Sequence, residues 1–451
     1  MLGPDEPRYA SIGRSMAATG DLITPRLNEK PWFEKPPLLY WMVAVGHWLH
    51  FSNEWAARLP VALSSIAFLI FFGNVLAREF SPQIAAVATA ILATSIGWFA
   101  YSSVALTDLP MSAALGASML IALFEPFEMR QRLNRGWIAG ALLGVAVLGK
   151  GLVPLVLFAP VMLIVRRKRL AILGGMLIVA VPWHVLCYLR NGHAFWDDYF
   201  WKQHVARFFT PQLEHVQPFW YYVPVLLAGL FPWTPLVALL ARRRIFDDVR
   251  VLMFGVWSLY GLLFFSVARN KLPGYVLPLM PAIAILLAVA LEKAPGKQYW
   301  IAACAALLVI LPTAGKILPQ ALLVGISRSN VAFAAGGLVF LMAAAVAAYF
   351  AWQQYTELAV ASVALAAALG IVYLKNTALP VLDRTVSVRP FFVSSQRSLD
   401  DACLGDTRRA WEYGLDYYAG REIPHCAPKG DPRARIQGAE GLLSLEVPGH
   451  P

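Results

Sequence analysis

The sequence has little charge. Asp, Glu, Lys and Arg make up 14% of 451 residues, against about 25% in a soluble globular protein. It has only four cysteines, too few for a disulfide framework. It has no signal peptide and no hydrophobic helix at its start. No repeat recurs at a fixed period of about 20–50 residues. No two-His metal motif of standard spacing is present. The low charge excludes a secreted disulfide scaffold and an ordinary cytosolic enzyme of several domains.

Apolar residues fill the space that charge leaves. They make up 58% of the chain, mean hydropathy is +0.57, and 12% of residues are aromatic, 15 of them Trp. That excludes a disordered chain and suits one lying across lipid–water interfaces. A spanning helix needs about 20 mainly apolar residues. Twelve runs qualify or nearly so: 58–77, 82–101, 109–126, 137–149, 151–165, 170–189, 219–240, 251–267, 275–291, 299–317, 331–352 and 358–374. The shorter run Leu38–Phe51 carries His47, His50 and several aromatics and reads as a helix lying in the interface.

The net charge of +11 would suggest nucleic acid in a soluble protein. Here Arg166–Arg169 and Arg242–Arg244 follow long apolar runs, as cytoplasmic loops do, so no nucleic-acid partner is expected. Arg78, Arg130, Arg132, Arg135, Lys293 and Lys297 fall in the same alternating set of loops. The opposite face then carries 1–57 as a first loop, 190–218 as an outer loop within a transmembrane domain 58–374, and a tail 375–451. The charged start at Asp5 lies outside, so a first span is expected upstream of these residues. The tail has β-like stretches at Phe391–Val393 and Leu442–Val447 and reads as a small α/β domain. Cys403 and Cys426 lie in it, either paired or as free thiols.

Six constellations could carry chemistry. Asp5-Glu6-Pro7-Arg8-Tyr9 sets two acids, a cation and a phenol before an amphipathic stretch. A carboxylate there can act as a general base, or Asp5 can cap a helix with Arg8 solvated. Trp32-Phe33-Glu34-Lys35-Pro36-Pro37 holds Lys35 on a stiff extended turn, suited to a lipid phosphate or to plain anchoring. Asp108 stands at the outer end of an apolar run and can be functional or a helix cap. Lys150 sits between Gly149 and Gly151, open to a ligand or merely snorkelling. Lys202, His204 and Arg207 crowd one side of the outer loop, with Glu214 and His215 nearby. Arg269-Asn270-Lys271-Leu272-Pro273-Gly274-Tyr275 can clamp phosphate or anchor at the interface. Acids and bases from several loops thus meet at one face. Channels and transporters place ionisable residues near the midplane instead. The residues therefore read as an outward-facing membrane enzyme acting on an anionic, lipid-linked substrate.

Taken together, Asp5–Ala10, Phe33–Leu38, Arg58-Leu59-Pro60, Asp108 and Lys271-Leu272-Pro273 with Tyr275 resemble the polyprenyl-phosphate-dependent glycosyltransferases of the glycosyltransferase C fold. The nearest branch is the lipid A aminoarabinose transferases, related to the protein O-mannosyltransferases. The resemblance covers most of 3–290. It implies a polytopic helical membrane protein of about 13 spans, about 12 of them in this sequence, with an outer α/β tail. It implies an essential acid at Asp5, a second at Asp108, and Lys35 at the carrier phosphate. Arg8, Tyr9, Arg58, Lys150, Arg207, Lys271 and Tyr275 are the further donor-binding candidates. Glu34 and His204 are candidates to hold a metal such as zinc, with no cofactor strictly required. The donor would be a sugar on undecaprenyl phosphate, and the acceptor lipid A, lipopolysaccharide or another envelope glycan. Transfer would invert the anomeric carbon on the periplasmic face of a bacterial inner membrane. A nucleotide sugar is not implied, since no Asp-X-Asp metal pair is present. Protein O-glycosylation and flipping of a lipid-linked sugar are the alternatives. A monomer is the simplest expectation.

Overall fold

The computed structural model describes residues 1, 3–124, 129–206, 217–324, 337–385, 387–396, 399–427, 431, 433–439 and 442–446. The chain opens with α1 (Asp5–Thr19), a hairpin of β1 (Arg26–Leu27) and β2 (Lys30–Pro31), and α2 (Leu38–Trp48). Pro37 is the N-cap of α2, where a missing N–H costs no helical hydrogen bond. There follow α3 (Asn53–Glu79), α4 (Pro82–Thr94), α5 (Ile96–Ser102), α6 (Asp108–Leu123), α7 (Met129–Lys150), α8 (Val153–Ile164) and α9 (Arg169–Asn191).

Length and straightness decide which apolar runs are spans. Among the described residues six helices are long and apolar enough: Asn53–Glu79, Arg166–Asn191, Val249–Val267, Pro273–Glu292, Lys297–Ala321 and Thr356–Arg384. Two bent pairs raise the number to eight: α4 with α5, at 62°, and Phe219–Gly229 with Thr234–Ala241, at 120°. The protein is a multi-span helical membrane protein. The run 82–101 breaks where Ser95 turns extended and its hydroxyl donates back to the Ile91 carbonyl. The runs 109–126 and 151–165 give the shorter helices α6 and α8, and 137–149 is the second half of α7.

In lipid, helices associate through close packing rather than through apolar burial. The α7–α9 crossing uses this: a Cβ on Gly140 would lie 2.2 Å from the Ile172 carbonyl oxygen, and one on Gly175 2.4 Å from that of Trp137. Helix Pro273–Glu292 is buried along almost its whole length and forms the centre of the bundle. At one end, cations close helix C-termini. Lys168 donates to the Ala122 carbonyl at 2.9 Å, Arg135 to that of Phe124 at 3.2 Å, and Arg250 to that of Glu79.

The tail packs on the loops at the other end. Strand β3 (Ala402–Leu404) runs parallel to β4 (Ala434–Ala439), which pairs antiparallel with β5 (Leu442–Glu446). Cys403 and Cys426 form a disulfide beside β3. The expected strand at Leu442 is present; Val447 lies outside the described residues. The expected strand at Phe391–Val393 is instead helical, within Arg389–Ser395. Pro390 favours a first helical turn, and Phe392 packs on Tyr418, ring centroids 5.7 Å apart. The tail helix Arg409–Ala419 lies against α1. Arg14 donates to the Tyr417 carbonyl at 2.6 Å, the Tyr417 hydroxyl to that of Asn53 at 2.8 Å, and Asn28 to the Asp416 carboxylate at 3.2 Å.

Candidate active site

The first cluster begins on α1. Asp5 does not cap that helix; its N-cap is Pro4, with no side-chain capping bond. One turn on, Arg8 shares the Asp5 face, as residues three apart on a helix do. Arg8 is not solvated but 5% exposed, with Nη2 2.5 Å from Asp5 Oδ1 and 2.9 Å from Glu34 Oε2. Burial works against its charge, yet Glu34 and Asp5 hold its pKa above the ordinary guanidinium value. The Tyr9 hydroxyl donates to Glu34 Oε1 at 3.2 Å. Burial first, then the Glu34 charge, push that phenol well above its usual pKa, so it stays a donor. Lys35 Nζ lies 3.5 Å from Glu34 Oε1. Glu34 therefore joins a helix cation to the cation on the proline turn.

A second cluster forms around Asp108 in the first turn of α6. It makes no capping bond; its carboxylate takes the Lys150 ammonium from the end of α7. Lys150 Nζ also stands 4.5 Å over the centre of the Tyr275 ring. Gly274 makes room for this. A Cβ there would lie 2.7 Å from both Asp108 Oδ1 and the Tyr101 hydroxyl. The clusters face one cleft. Glu34, Lys35, Lys150, Gln203, Asn270 and Tyr275 supply its polar lining, and Pro36, Val153, Phe264, Phe265 and Ala268 its apolar walls.

The fold thus brings Asp5, Arg8, Tyr9, Glu34 and Lys35 together, and Asp108, Lys150 and Tyr275 beside them. Two expected phosphate ligands are engaged elsewhere. Arg58 grips Glu6 with Nε and Nη2 at 2.6 and 2.7 Å, and Glu6 also accepts the Ala105 N–H at 3.1 Å. Burial opposes the Glu6 charge, but Arg58 and that N–H outweigh it and hold the carboxyl below its ordinary range. Lys271 is buried and donates to the carbonyls of Gln217, at 3.0 Å, and Ala268, at 2.5 Å, so it closes a loop. Arg207, Glu214 and His215 lie outside the described residues. His204 lies on the π-helical stretch Trp196–Ala206, its side chain outside what is described, while its neighbour Gln203 lines the cleft.

Of the pair expected to hold a zinc, Glu34 is described, while the side chain of His204 is not. Both Glu34 oxygens already bond to Arg8, Tyr9 and Lys35. Among the described residues, the one group of three ligating side chains close enough for an ion is Cys403, Cys426 and Asp431, and those cysteines form the disulfide. No step is routed through a metal.

Several residues at the site carry no strong sequence signal. Tyr101, at the α5 end, and Asp108 both close on Gly274, and Trp32 faces Arg8 with its ring centroid 5.5 Å away. Tyr413 faces Arg8 from the tail, 5.4 Å away. Of the adjacent acids, the i, i+3 spacing to Arg8 singles out Asp5; nothing local pairs Glu6 with Arg58.

Residues 2–191 match the family model of dolichyl-phosphate-mannose-protein mannosyltransferases. The whole chain is similar to the crystal structure of ArnT from Cupriavidus metallidurans bound to undecaprenyl phosphate. The TM-score is 0.80 at 26% identity, over 95% of this chain and 82% of that one. The first 190 residues or so thus match a mannosyltransferase family model, and the fold is similar to that of ArnT. The chain is also similar to the undecaprenyl phosphate-alpha-4-amino-4-deoxy-L-arabinose arabinosyl transferase of Erwinia tasmaniensis, 33% identical over 63% of this chain and 54% of that protein. The Pseudomonas aeruginosa protein of the same description is 33% identical over 64% of this chain and 55% of its own length. The chain spans little more than half the length of the curated relatives it matches.

Proposed function

We propose that the protein transfers a sugar from undecaprenyl phosphate to lipid A or a related envelope glycan, at the outer face of the bacterial inner membrane. Aminoarabinose is the sugar that the relatives' activity points to. The observation that carries the reading is the pairing of Lys35 and Lys150 with apolar walls in one cleft. A carrier phosphate needs cations, and its polyprenyl chain needs apolar surface.

The chemistry follows from the charges. An acceptor oxygen attacks the anomeric carbon from the side opposite the phosphate. The bond from that carbon to the phosphate oxygen breaks, its electron pair stays on the phosphate, and the configuration inverts. Lys35 and Lys150 offset the charge gathering on the leaving phosphate. Asp108 and Glu34 hold those two ammonium groups in place. Asp5 keeps 43% of its side chain open to solvent and is the candidate on the acceptor side. With a hydroxyl acceptor it takes the proton. With a phosphate acceptor, already ionised near pH 7, it orients the ammonium of an amino sugar.

The basic end of the bundle suits the cytoplasm, and a tail disulfide suits the oxidising side opposite. The mannosyltransferase family match keeps a protein acceptor as a second reading. Incubating the purified protein in micelles with undecaprenyl-phosphate-linked aminoarabinose and lipid A tests the choice. The expected product is lipid A heavier by one sugar residue. Label in a protease-sensitive product favours the second reading, and no transfer without a bilayer favours a flippase.

A further inference from the structure

We infer that Tyr413, on the tail helix, is a positioning residue of the active site, acting through Arg8; this rests on the function proposed above. The Arg8 guanidinium is the hinge of the first cluster. One nitrogen, Nη2, holds both Asp5 and Glu34, while Nε is buried with no hydrogen-bond partner. A buried guanidinium so sparsely bonded needs other stabilisation. Three aromatic rings surround it: Tyr9 at 5.4 Å, Trp32 at 5.5 Å and Tyr413 at 5.4 Å. Such faces attract a cation through the ring quadrupole, more strongly when water is excluded. Tyr9 and Trp32 belong to the first loop, as Arg8 does. Tyr413 alone comes from the tail.

The tail is held where this contact requires it. Arg14, Asn28 and Asn53 bond Tyr417 and Asp416 one turn farther along the tail helix. Arg409 donates to the Tyr413 hydroxyl at 3.2 and 3.3 Å and also stands over the ring, 5.4 Å from its centre. The ring face, not the hydroxyl, meets Arg8. Removing the ring leaves Arg8 free to turn, and Asp5 and Glu34, bonded to one of its nitrogens, turn with it. Glu34 in turn sets Lys35.

The test is transfer kinetics on the full-length protein in micelles, with undecaprenyl-phosphate-linked aminoarabinose and lipid A. Tyr413→Leu is expected to lower kcat about tenfold, equivalent to about 1.4 kcal/mol, with KM for the donor little changed. Tyr413→Phe, which keeps the ring, is expected to restore most of the rate. In an Arg8→Lys background, Tyr413→Leu should add nothing, since partners acting as a unit are not additive. Tyr413→Met, unbranched and likewise without a π face, replaces the Leu variant if that one fails to reach the membrane. Lys35→Ala serves as the reference. If Lys35→Ala keeps full activity, the proposed site itself is wrong. If Lys35→Ala is inactive but Tyr413→Leu and Tyr413→Met match wild type, the positioning role alone is overturned. Loss in Tyr413→Leu that persists undiminished in the Arg8→Lys background also overturns it.

Discussion

Gly274 shows how one missing methyl group can keep an ion pair in place. Asp108 Oδ1 and the Tyr101 hydroxyl both sit where its Cβ would be. Gly274→Ala is therefore expected to push Asp108 off Lys150. Overpacking of this kind costs about 1–3 kcal/mol, and transfer should fall with it. Thermal melting in detergent and transfer rate measure the two effects, and a variant unchanged in both contradicts the geometry. Glu6 and Arg58 form the other decisive pair: the Glu6 carboxylate is buried, and the half-buried Arg58 grips it through two nitrogens. Breaking such a pair by removing one partner costs about 3–5 kcal/mol. The pH dependence follows from the lowered Glu6 pKa. The unfolded chain binds this proton more readily than the folded one. The stabilisation is full above the ordinary carboxylate range and is lost as pH falls through the lower folded value. Glu6→Gln should lower the melting temperature near neutrality and flatten its decline in acid. An unchanged acid limb argues against the assignment. At this scale the sequence marks the acids well. Asp5 and Arg8 are one turn apart, and Glu34 and Lys35 are adjacent on a proline turn. It does not separate Lys35 and Lys150 from Arg58 and Lys271. All four read as cations near an interface, and only tertiary contacts give Arg58 to Glu6 and Lys271 to two carbonyls.

Elements explain how the proline turn stays put. Phe33, next to Glu34, packs edge-on against Phe195 with ring centroids 5.3 Å apart. Trp183 donates to the Ile23 carbonyl at 3.0 Å, and Arg190 reaches Asp21 at 2.8 Å. The end of α9 and the segment after it thus grip the first loop. Hydropathy shows that these elements exist but not where they stop. The run 82–101 breaks at Ser95, whose hydroxyl bonds back to the Ile91 carbonyl, with Gly97 two residues on packed closely against Gly229. Phe391–Val393 looks like a strand by composition, yet Pro390 and the contact with Tyr418 make it helix. The cysteine pair, open from sequence, closes a loop with a separation of 23 residues. A cross-link over a loop of that size contributes about 3 kcal/mol in the chain-entropy view. Cys403→Ser should therefore make the tail more sensitive to limited proteolysis while the spans stay protected. Equal protease resistance in the variant and wild type counts against the disulfide as a support of the tail.

Across the whole molecule, the scarce charges divide between the two ends of the bundle. At one end Arg135, Lys168 and Arg250 close helix termini. At the other, Asp5, Glu34 and Lys35 belong to one cluster and Asp108 and Lys150 to a second, and Glu34, Lys35 and Lys150 line an apolar-walled cleft. The central helix Pro273–Glu292 brings Tyr275 to this cleft, while α6 and α7 bring Asp108 and Lys150. The division into two faces was legible from the loop cations. The convergence was not, because it depends on how helices far apart in sequence pack. The tail's contact with Arg8 was hidden for the same reason. The central claim is that this cleft hands a sugar from the lipid carrier to an envelope acceptor through Lys35. Mass spectrometry of lipid A from cells carrying the wild-type gene, no gene, or Lys35→Ala tests it most directly. Wild type alone should show lipid A with an added sugar residue. Lys35→Ala, present in the membrane at wild-type level, should lower transfer by about 100-fold or more, the scale of losing one donor to a developing anion. The same sugar-bearing lipid A in all three strains, or full modification with Lys35→Ala, would contradict the claim.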